Sequence, residues 1–422
     1  MLRRRRGWYP PAPAPPPGDT ATAFEHIVIV GTSLAGLRAA EALREKGFEG
    51  RITFLGAEKH RPYDRPPLSK EILKGTWEPE KISLERGDGL STLGLEMRLG
   101  CRATSLDTAA HRIDLEDGDS LEYDGLVIAT GGTPRRIPGT PDLAGIHVLR
   151  TLDDSLAIRS ELERGPRVAV VGAGFIGGEV AASCRERGLD VTMVEALSAP
   201  LETIAGTDVG TALAAAHADQ GVDVRLGVGV EGFDGTDRVE RLRLSDGTHV
   251  DADVVVVGIG VVPETGWLEG SGLALGDGIV CDATCAASAA GVVAAGDVAS
   301  WINPLFKERM RIEHWTHATE MARAAIDSLL AGPKAAQPFE SVPYFWSDQY
   351  DLKIQSIGRL PAADETCIAR GSLEDRKFLK LYGRKGRLAG ALGFGEARSV
   401  LALRRRMREG IGFEEARAEV AG

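Results

Sequence analysis

Two glycine-rich turns, each between a predicted strand and a predicted helix, constrain the fold of this chain more than any other feature. The first follows the apolar run His26–Val30 and reads Gly31-Thr-Ser-Leu-Ala-Gly36. The second follows Arg167–Val171 and reads Gly172-Ala-Gly-Phe-Ile-Gly177. A glycine turn in this strand-to-helix context is typical of a dinucleotide-binding βαβ unit. The sequence therefore predicts two such units in one chain.

Hydrophobic periodicity predicts the elements that complete each unit. The first turn is followed by a helix over Leu37–Lys46 and a strand over Arg51–Leu55. The second is followed by a helix over Gly178–Arg187 and a strand over Asp190–Val194. Three further strands and a closing helix are predicted at Asp124–Ala129, Asp253–Val257, Gly291–Ala295 and His314–Leu330.

A length of 422 residues indicates two or three domains. The predicted fold class is α/β, with two Rossmann-like dinucleotide-binding domains and a small α+β C-terminal domain. Gly332-Pro333 marks the start of that last domain, which alternates short strands with turns and ends in a basic helical stretch. The predicted divisions are a disordered tail at 1–23, a split first domain at 24–138 and 260–331, a second domain at 139–259 and a C-terminal interface domain at 332–422.

Charge and cysteine usage narrow the class of protein. The net charge of −11 argues against general binding of nucleic acid or membranes. Five scattered cysteines do not suggest a secreted disulfide framework. For the close pair Cys281 and Cys285, buried or incidental thiols are favoured over a redox or zinc role, because no second ligand pair follows. We expect no resident metal.

The N-terminus combines Arg3–Arg6 with a proline-rich run over Pro10–Pro17. No apolar h-region follows the arginines, so a secretory signal is not indicated. No segment elsewhere reads as a bilayer span. We interpret residues 1–23 as a disordered tail, with a docking role as the less favoured alternative, and we expect a cytoplasmic location.

The second glycine turn carries the clearer chemistry. Its glycines allow a tight turn close to a pyrophosphate, and the N-terminus of the following helix offers N–H groups and a positive dipole. Glu195 ends the next strand, where a carboxylate accepts from a ribose 2′-OH and repels a 2′-phosphate. The sequence therefore predicts NADH in preference to NADPH.

The first turn departs from the pattern at two positions. Its middle residue is Ser33, which is small but allows a less close approach than glycine does. The acidic residue expected after the second strand is displaced, because Gly56-Ala57 precedes Glu58. Its place at the start of the chain favours an FAD site.

Several longer motifs carry a specific resemblance. They are Tyr63-Asp-Arg-Pro-Pro-Leu-Ser-Lys70, Ala129-Thr-Gly-Gly-Thr-Pro-Arg135, Val170–Glu179, Ala295-Gly-Asp297 and Tyr344-Phe-Trp-Ser-Asp-Gln-Tyr350. Through them, residues 24–422 resemble the NADH-dependent ferredoxin reductases of bacterial oxygenase systems, within the glutathione-reductase-like flavoproteins. The resemblance implies FAD in the split first domain and NAD(H) in the second.

The glycine turns and the resemblance together imply a set of cofactor-binding residues. They are Gly31, Ser33, Leu34, Ala35, Gly36, Glu58, Arg65, Lys70, Ala103, Ala129, Thr130, Gly131, Arg150, Gly172, Gly174, Phe175, Ile176, Gly177, Glu179, Glu195, Gly260, Gly296, Asp297 and Trp315.

The resemblance also implies individual roles. Lys70 lies over the flavin, and Glu179 faces it across the nicotinamide pocket; these two are the predicted catalytic residues. Asp297 bonds the ribityl chain, although a turn-forming aspartate is the alternative. Arg150 contacts FAD or is a surface arginine. Trp315 begins the closing helix, where it packs beside the flavin ring or in the core.

The cysteine pattern and the resemblance together predict the route of the electrons. Dithiol reductases of the superfamily carry a close cysteine pair near a cofactor, whereas Cys101 and Cys184 are lone. The resemblance implies hydride transfer from NADH to flavin N5, followed by two single-electron transfers to a ferredoxin that supplies a monooxygenase or dioxygenase. Alternatives are a rubredoxin reductase, an NADH oxidase, and a redox-sensing flavoprotein resembling apoptosis-inducing factor.

Ferredoxins are usually acidic, so docking favours a basic patch on the reductase. Two clusters are candidates: Arg404, Arg405, Arg406 and Arg408, and Lys307 with Arg309 and Arg311. For each cluster, a solvated charged surface is the alternative.

Overall fold

The computed structural model describes residues 24–85 and 89–421, so the predicted disordered tail at 1–23 lies outside the described residues. The chain divides into two compact units. The first contains the described residues of the segments Met1–Pro62, Glu85–Gly132 and Pro263–Ser341. The second contains Tyr63–Leu84, Thr133–Val262 and the described residues of Val342–Gly422. The finer division into FAD, NAD and C-terminal domains stays a prediction.

The strands of the described ranges are β1 His26–Val30, β2 Arg51–Gly56, β3 Leu95–Leu99, β4 Ala103–Asp107, β5 Arg112–Leu115, β6 Ser120–Glu122, β7 Gly125–Ile128, β8 Gly132–Pro134, β9 Ile146–Val148, β10 Val168–Val171, β11 Val191–Glu195, β12 Asp223–Leu226, β13 Val230–Gly235, β14 Val239–Leu244, β15 His249–Asp251, β16 Val254–Val257, β17 Val261–Pro263, β18 Leu275–Gly276, β19 Gly278–Val280, β20 Val292–Ala294, β21 Ala299–Asn303, β22 Glu308–Arg311, β23 Tyr344–Gln349, β24 Leu352–Gly358, β25 Glu365–Ser372, β26 Lys377–Arg384 and β27 Arg387–Phe394.

The helices of the same ranges are α1 Leu34–Glu45, α2 Glu71–Lys74, α3 Gly89–Thr92, α4 Leu152–Leu162, α5 Phe175–Glu186, α6 Glu202–Ala205, α7 Thr207–Asp219, α8 Trp315–Ala331, α9 Ala397–Arg408 and α10 Phe413–Ala421.

The first unit is built on a five-stranded parallel sheet in the order β20-β7-β1-β2-β3. Every residue of β1 and β7 is buried, as expected for central parallel strands that are covered on both faces. Helices α1 and α8 pack side by side. β1 ends at Val30, and the first glycine turn follows directly at its carboxyl end.

The second unit repeats this arrangement with a parallel sheet in the order β12-β11-β10-β16-β9. Its C-terminal part is an antiparallel sheet in the order β23-β24-β27-β26-β25, against which α9 and α10 pack. Two parallel α/β sheets and a small antiparallel sheet with helices confirm the predicted fold class.

Both glycine turns pass into helix earlier than the sequence suggested. Helix α1 begins at Leu34 and α5 at Phe175, whereas the predicted starts were Leu37 and Gly178. The last residues of each motif already form the first helical turn, because a glycine there leaves room for the strand end. The motif is thus both turn and helix N-terminus.

No helix of the described ranges is both long enough and apolar enough to cross a bilayer.

A buried histidine in the first unit predicts loss of stability in acid. His317 packs against the Trp301 ring, at 4.6 Å between ring centroids, and neither ring nitrogen has a hydrogen-bond partner in the described residues. Burial lowers the pKa of His317 to about 3. The unfolded chain therefore binds a proton below pH 6.5 that the folded chain does not, and stability falls as the pH drops from about 6.5 toward 3.

Replacing His317 with Phe should remove this contribution, which amounts to about 1.4 kcal/mol per pH unit for one proton. We expect the melting temperature of His317→Phe to fall less than that of the wild type between pH 7 and pH 4.5. His249→Gln, at an exposed position in β15, is the control and should follow the wild type. Parallel pH profiles for all three proteins would contradict the prediction.

Candidate functional site

The two glycine turns have the same backbone geometry. Gly31 has φ +115° and Gly172 has φ +99°, a region that residues with a Cβ rarely adopt. A Cβ at Gly31 would overlap the carbonyl oxygen of Ala129, and one at Gly172 would overlap that of Gly258. In both units the turn therefore touches the end of a neighbouring parallel strand, which is the edge where α/β proteins bind dinucleotides.

The third glycine of each motif has an equally specific role. A Cβ at Gly36 would overlap the Gly31 carbonyl oxygen, and a Cβ at Gly177 would overlap the Gly172 carbonyl oxygen. Both glycines lie in the first turn of a helix, so the helix begins against the strand end. The sequence-based prediction of a duplicated βαβ opening is confirmed at this level of detail.

In the first unit, several predicted site residues converge beside the first turn. Gly296 has φ +76°, and a Cβ there would lie 3.1 Å from the Ala35 side chain and 3.7 Å from that of Ala318 in α8. The N-terminal turns of α1 and α8 therefore meet at Gly296. Two helix N-termini at one place favour an anionic ligand.

The neighbouring residues hold the strand ends in place. The Thr130 hydroxyl donates to the Glu264 carbonyl oxygen at 2.9 Å, and Ala129 is buried at the end of β7. Asp297 directly follows Gly296 in a short 3-10 helix, and its carbonyl oxygen accepts from the Arg311 side chain at 3.2 Å. These contacts fix the rim of the turn.

The remaining predicted residues of this unit lie in distinct positions. Ser33 is the extended N-cap of α1 and its side chain does not cap the helix; Leu34 follows it as the first helical residue. Gly131 has φ +71°. Glu58 lies half-buried after β2, and Ala103 is buried at the start of β4. Trp315 is the first residue of α8, as predicted.

In the second unit, the Glu195 carboxylate lies at the second turn. Its Oε2 accepts from the Ala173 amide at 2.7 Å, and its Oε1 accepts from the Leu197 amide at 3.0 Å. The end of β11 therefore presents a negative charge directly at the glycine turn. The N-cap of α5 is Gly174, which has no side chain to occupy the first-turn N–H groups.

Exposed apolar side chains surround this turn. Ile176, which follows Phe175 in the first turn of α5, is 47% exposed, and Ile259 lies exposed two residues after the end of β16. Gly260 follows with φ +93°, and its carbonyl oxygen accepts from the Arg135 amide at 2.9 Å. The Glu195 carboxylate with apolar side chains beside it suits the binding of a nucleotide.

Arg65 and Arg150 come together in the second unit. The Arg65 guanidinium lies over the Tyr63 ring, 5.2 Å from its centroid, and donates to the Arg150 carbonyl oxygen. The Arg150 amide donates to Asp154, which belongs to the capping box at the start of α4. Both arginines are thus held at one helix N-terminus.

Lys70 and Glu179 form a buried ion pair in the second unit. The Lys70 Nζ donates to Glu179 Oε2 at 3.0 Å, and the two residues are 8% and 4% exposed. Neither residue is a surface side chain. The resemblance implied two groups that face each other across a pocket, whereas the structure places them in direct contact.

Other buried polar groups around Glu179 had received no role from the sequence. The Ser69 hydroxyl donates to Glu179 Oε2 at 2.5 Å, and the Ser347 hydroxyl donates to Oε1 at 2.7 Å. Both serines lie in motifs that carried the resemblance, Pro-Pro-Leu-Ser-Lys and Phe-Trp-Ser-Asp-Gln. The spacing along the chain gave no signal that these two motifs meet at one carboxylate.

The cysteines provide no dithiol beside the glycine turns. Cys184 is buried in α5, and Cys281 and Cys285 are completely buried in the first unit; all are free thiols. Burial raises the pKa of Cys184 and of Cys281 to about 12, so neither thiol ionises near neutral pH. No group of three or more His, Cys, Asp or Glu in the described ranges is arranged to hold a metal ion.

The predicted docking residues of the first unit have carboxylate or carbonyl partners. Arg311 pairs with Asp277 at 2.9 Å and with Glu313 at 2.6 Å. Arg309 donates to the Cys281 carbonyl oxygen at 2.9 Å. Lys307 is exposed. Two of these three cations therefore hold the fold around β22, which weakens this cluster as a docking patch.

The docking residues of the second unit differ among themselves. Arg404 donates to the Val342 carbonyl oxygen at 2.9 Å. Arg405 is exposed, with its Nε 3.7 Å from a Glu409 carboxylate, and Arg408 is exposed on the same helix. Arg406 is neutralised by three carboxylates, those of Glu409, Glu415 and Glu419. The four arginines of the predicted cluster are thus not equally free to bind a partner protein.

The residues at both turns fit the two dinucleotides that the sequence implies, FAD and NAD(H). At each turn the backbone lies so close to its neighbours that only glycine fits. Each turn is followed by a helix whose N-terminal N–H groups suit a pyrophosphate. The Glu195 carboxylate at the second turn suits a ribose diol.

Comparisons with known proteins agree with this geometry. Residues 25–322 match the family model described as pyridine nucleotide-disulphide oxidoreductase, and residues 344–420 match the one described as reductase C-terminal. The chain is 38% identical over 363 residues to the 5,5′-dehydrodivanillate O-demethylase ferredoxin reductase subunit of Sphingobium sp., covering 85% of this chain and 87% of that protein.

Two further proteins are similar over most of their length. Rhodocoxin reductase of Rhodococcus erythropolis is 35% identical over 381 residues, which cover 90% of this chain and 88% of that protein. The crystal structure of the covalent putidaredoxin reductase–putidaredoxin complex contains a chain that superimposes with a TM-score of 0.87 at 31% identity, covering 91% of this chain and 93% of that one. The resemblance inferred from the sequence is confirmed: this chain belongs to the pyridine nucleotide-disulphide oxidoreductase family, in the group that contains ferredoxin reductases of oxygenase systems.

Proposed function

We propose that this protein is an FAD-dependent ferredoxin reductase, which takes electrons from NADH and delivers them to a small iron–sulfur protein of an oxygenase system. The relatives named above are ferredoxin reductases or reductases of named redox carriers. The observation that carries the proposal is the buried Lys70–Glu179 ion pair beside the second glycine turn, in a protein without a dithiol there. The cytoplasmic location stays a prediction.

FAD, when bound, supplies the redox chemistry, since it takes up two electrons together and releases them singly. The chain supplies position and charge. The Lys70 ammonium provides a fixed positive charge in a dry environment, where it acts more strongly than in water. Glu179 determines where that ammonium lies, and Ser69 and Ser347 donate to the same carboxylate.

Glu195 sets the choice of nicotinamide cofactor. Its carboxylate is held at the turn by the Ala173 amide, so it cannot easily withdraw from an incoming 2′-phosphate. The adenine ribose of NADH can donate its 2′-OH to this group, whereas NADPH brings like charges together.

The partner is an acidic iron–sulfur protein that docks on the outward surface of α9. Four exposed residues line it at helical spacing: Arg398, Leu401, Arg405 and Arg408. Leu401 is 49% exposed between the arginines. Cations around one apolar side chain suit an acidic protein, because charge steers the encounter and the apolar centre excludes water. Arg406 is not part of this surface, since its charge is already balanced.

Removing the Lys70 charge should slow the first half-reaction. We expect Lys70→Met to lower the rate of flavin reduction by NADH about 100-fold, since one charged group in a water-excluded site contributes on this scale. Anaerobic stopped-flow absorbance measures this rate without any acceptor. Because Lys70→Met leaves Glu179 buried and unpaired, Lys70→Met/Glu179→Gln is the matched variant; it should regain stability and remain slow. A wild-type rate in either variant would contradict the role of Lys70.

Neutralising Glu195 should weaken the discrimination against NADPH. Glu195→Gln removes the charge and keeps an acceptor for the Ala173 amide, at the cost of the acceptor for the Leu197 amide. We expect the ratio of kcat/KM for NADH over NADPH to fall about tenfold, mainly through a gain with NADPH, since like-charge repulsion is relieved. Steady-state ferricyanide reduction with each nucleotide measures this ratio. An unchanged ratio would assign the discrimination to other residues.

Charge reversal on α9 should affect only the electron acceptor. We expect Arg405→Glu/Arg408→Glu to lower kcat/KM for an acidic ferredoxin about tenfold at low salt and to leave NADH–ferricyanide activity unchanged. Arg225→Glu, an exposed arginine in β12, is the matched control. A panel with rubredoxin and several ferredoxins identifies the carrier. Equal ferredoxin rates for the double variant and the control would refute docking on α9, and no stimulation by any carrier would refute the proposed function.

A further inference from the structure

A continuous line of polar side chains joins Glu179 to Tyr350 within the second unit. The Ser347 hydroxyl donates to Glu179 Oε1 at 2.7 Å, and Gln349 Nε2 donates to the Ser347 hydroxyl at 3.2 Å. The Gln349 Oε1 lies 2.9 Å from His217 Nε2, and His217 Nδ1 lies 3.0 Å from the Tyr350 hydroxyl. These groups come from α5, α7, β23 and the turn after it.

Every hydrogen bond in this line points toward Glu179. A carboxylate paired with Lys70 only accepts, so the single Ser347 proton is donated to it, and the Ser347 oxygen accepts from the Gln349 amide. The Gln349 oxygen then requires an N–H at His217 Nε2. This tautomer leaves Nδ1 as an acceptor for the Tyr350 hydroxyl. One consistent set of donors therefore extends from Tyr350 to the carboxylate.

The protonation states agree with this direction. Burial lowers the pKa of His217, so its ring is neutral near pH 7 and keeps an acceptor nitrogen. Burial raises the pKa of Tyr350, so its hydroxyl keeps the proton that it donates. The two rings also pack edge to face at 5.3 Å between centroids.

The core of the second unit has space for these polar side chains. Ser347, Gln349 and His217 are fully buried, and burying such groups is costly unless they are bonded as they are here. Gly178, directly before Glu179, provides the space: a Cβ there would lie 2.5 Å from Gln349 Oε1. Any larger residue at 178 would displace the Gln349 amide.

We propose that Ser347, Gln349 and His217 are positioning residues, which hold the Glu179 carboxylate and through it the Lys70 ammonium in the place that the flavin reaction requires. This inference rests on the proposed FAD-dependent function. It assigns a role to residues outside the glycine turns, and it explains why α5 carries a glycine immediately before its one buried carboxylate.

The line positions groups and does not conduct protons. Passing a proton through Gln349 would require its amide to convert to the imidic acid form, which is strongly disfavoured. The line also ends in a carboxylate that already accepts from Lys70 and Ser69. Its effect on the flavin therefore acts through the position and the effective charge of Glu179.

The test is a double-mutant cycle on the midpoint potential of the bound FAD, measured by photoreduction with reference dyes. Ser347→Ala removes one donor from Glu179 and leaves more of its negative charge uncompensated, so we expect the potential to become more negative. We also expect flavin reduction by NADH to slow about tenfold, as for loss of one hydrogen bond to a charged group. Glu179→Gln removes the charge, and adding Ser347→Ala to it should cause no further shift.

Two further variants separate positioning from packing. Tyr350→Phe removes one oxygen at the far end of the line and should shift the potential in the same direction by a smaller amount. Ser328→Ala is the matched control, because Ser328 is a buried serine of α8, in the first unit, that donates to the Thr284 hydroxyl at 3.1 Å. It should lower stability without moving the potential.

The outcomes distinguish this inference from the proposed function, because photoreduction needs neither NADH nor ferredoxin. Equal shifts from Ser347→Ala in the wild-type and Glu179→Gln backgrounds would overturn the positioning role, and so would a shift from Ser328→Ala of the same size. A coupled shift in a protein that reduces no ferredoxin would leave the positioning role standing and refute the choice of acceptor.

Discussion

The site in the second unit depends on the burial of an ammonium and a carboxylate together. Removing two such ions from water costs several kcal/mol per ion, and their mutual attraction compensates only when the remaining lone pairs are also satisfied. Lys70, Ser69 and Ser347 supply three donors to Glu179. The helix, the strand and the short turn that carry these groups must therefore keep one fixed arrangement, since loss of any donor leaves part of a buried charge unmatched.

A second constraint acts on the backbone and occurs once in each unit. At Gly31 and at Gly172 the chain leaves a buried strand so close to its neighbour that a Cβ would overlap a carbonyl oxygen. The close approach places the first helical turn at the strand end and directs its N–H groups toward the ligand edge of the sheet. What differs between the units is the polar residue nearby: the Glu195 carboxylate accepts from the Ala173 amide at the second turn, whereas Ser33 is the N-cap of the helix at the first.

The parts that were predictable from the sequence are those that depend on local pattern. β1 has the predicted bounds, β10 begins one residue later than predicted, and Trp315 begins α8, because apolar runs and glycine turns are read along the chain. The starts of α1 and α5 were placed three residues late, since a glycine-rich turn was read as ending before the helix. The hydrogen bonds from Ser347 to Glu179 and from His217 to Gln349 were not predictable, because each joins residues more than a hundred positions apart whose side chains have ordinary alternatives on a surface.

Charge pairing also limits what composition indicates about a docking surface. The run Arg404-Arg-Arg suggested one basic patch, yet in this chain of net charge −11 several arginines form ion pairs with carboxylates. Arg406 lies among three glutamates of α9 and α10, and Arg311 lies between Asp277 and Glu313. A guanidinium that already stabilises such a cluster would have to leave it to bind a partner, which offsets the gain. Arg405 and Arg408 are exposed and less strongly paired, so they avoid this cost. The positive charge that a partner can reach therefore depends on which arginines lie on the exposed surface of α9, and not on how many arginines the run contains.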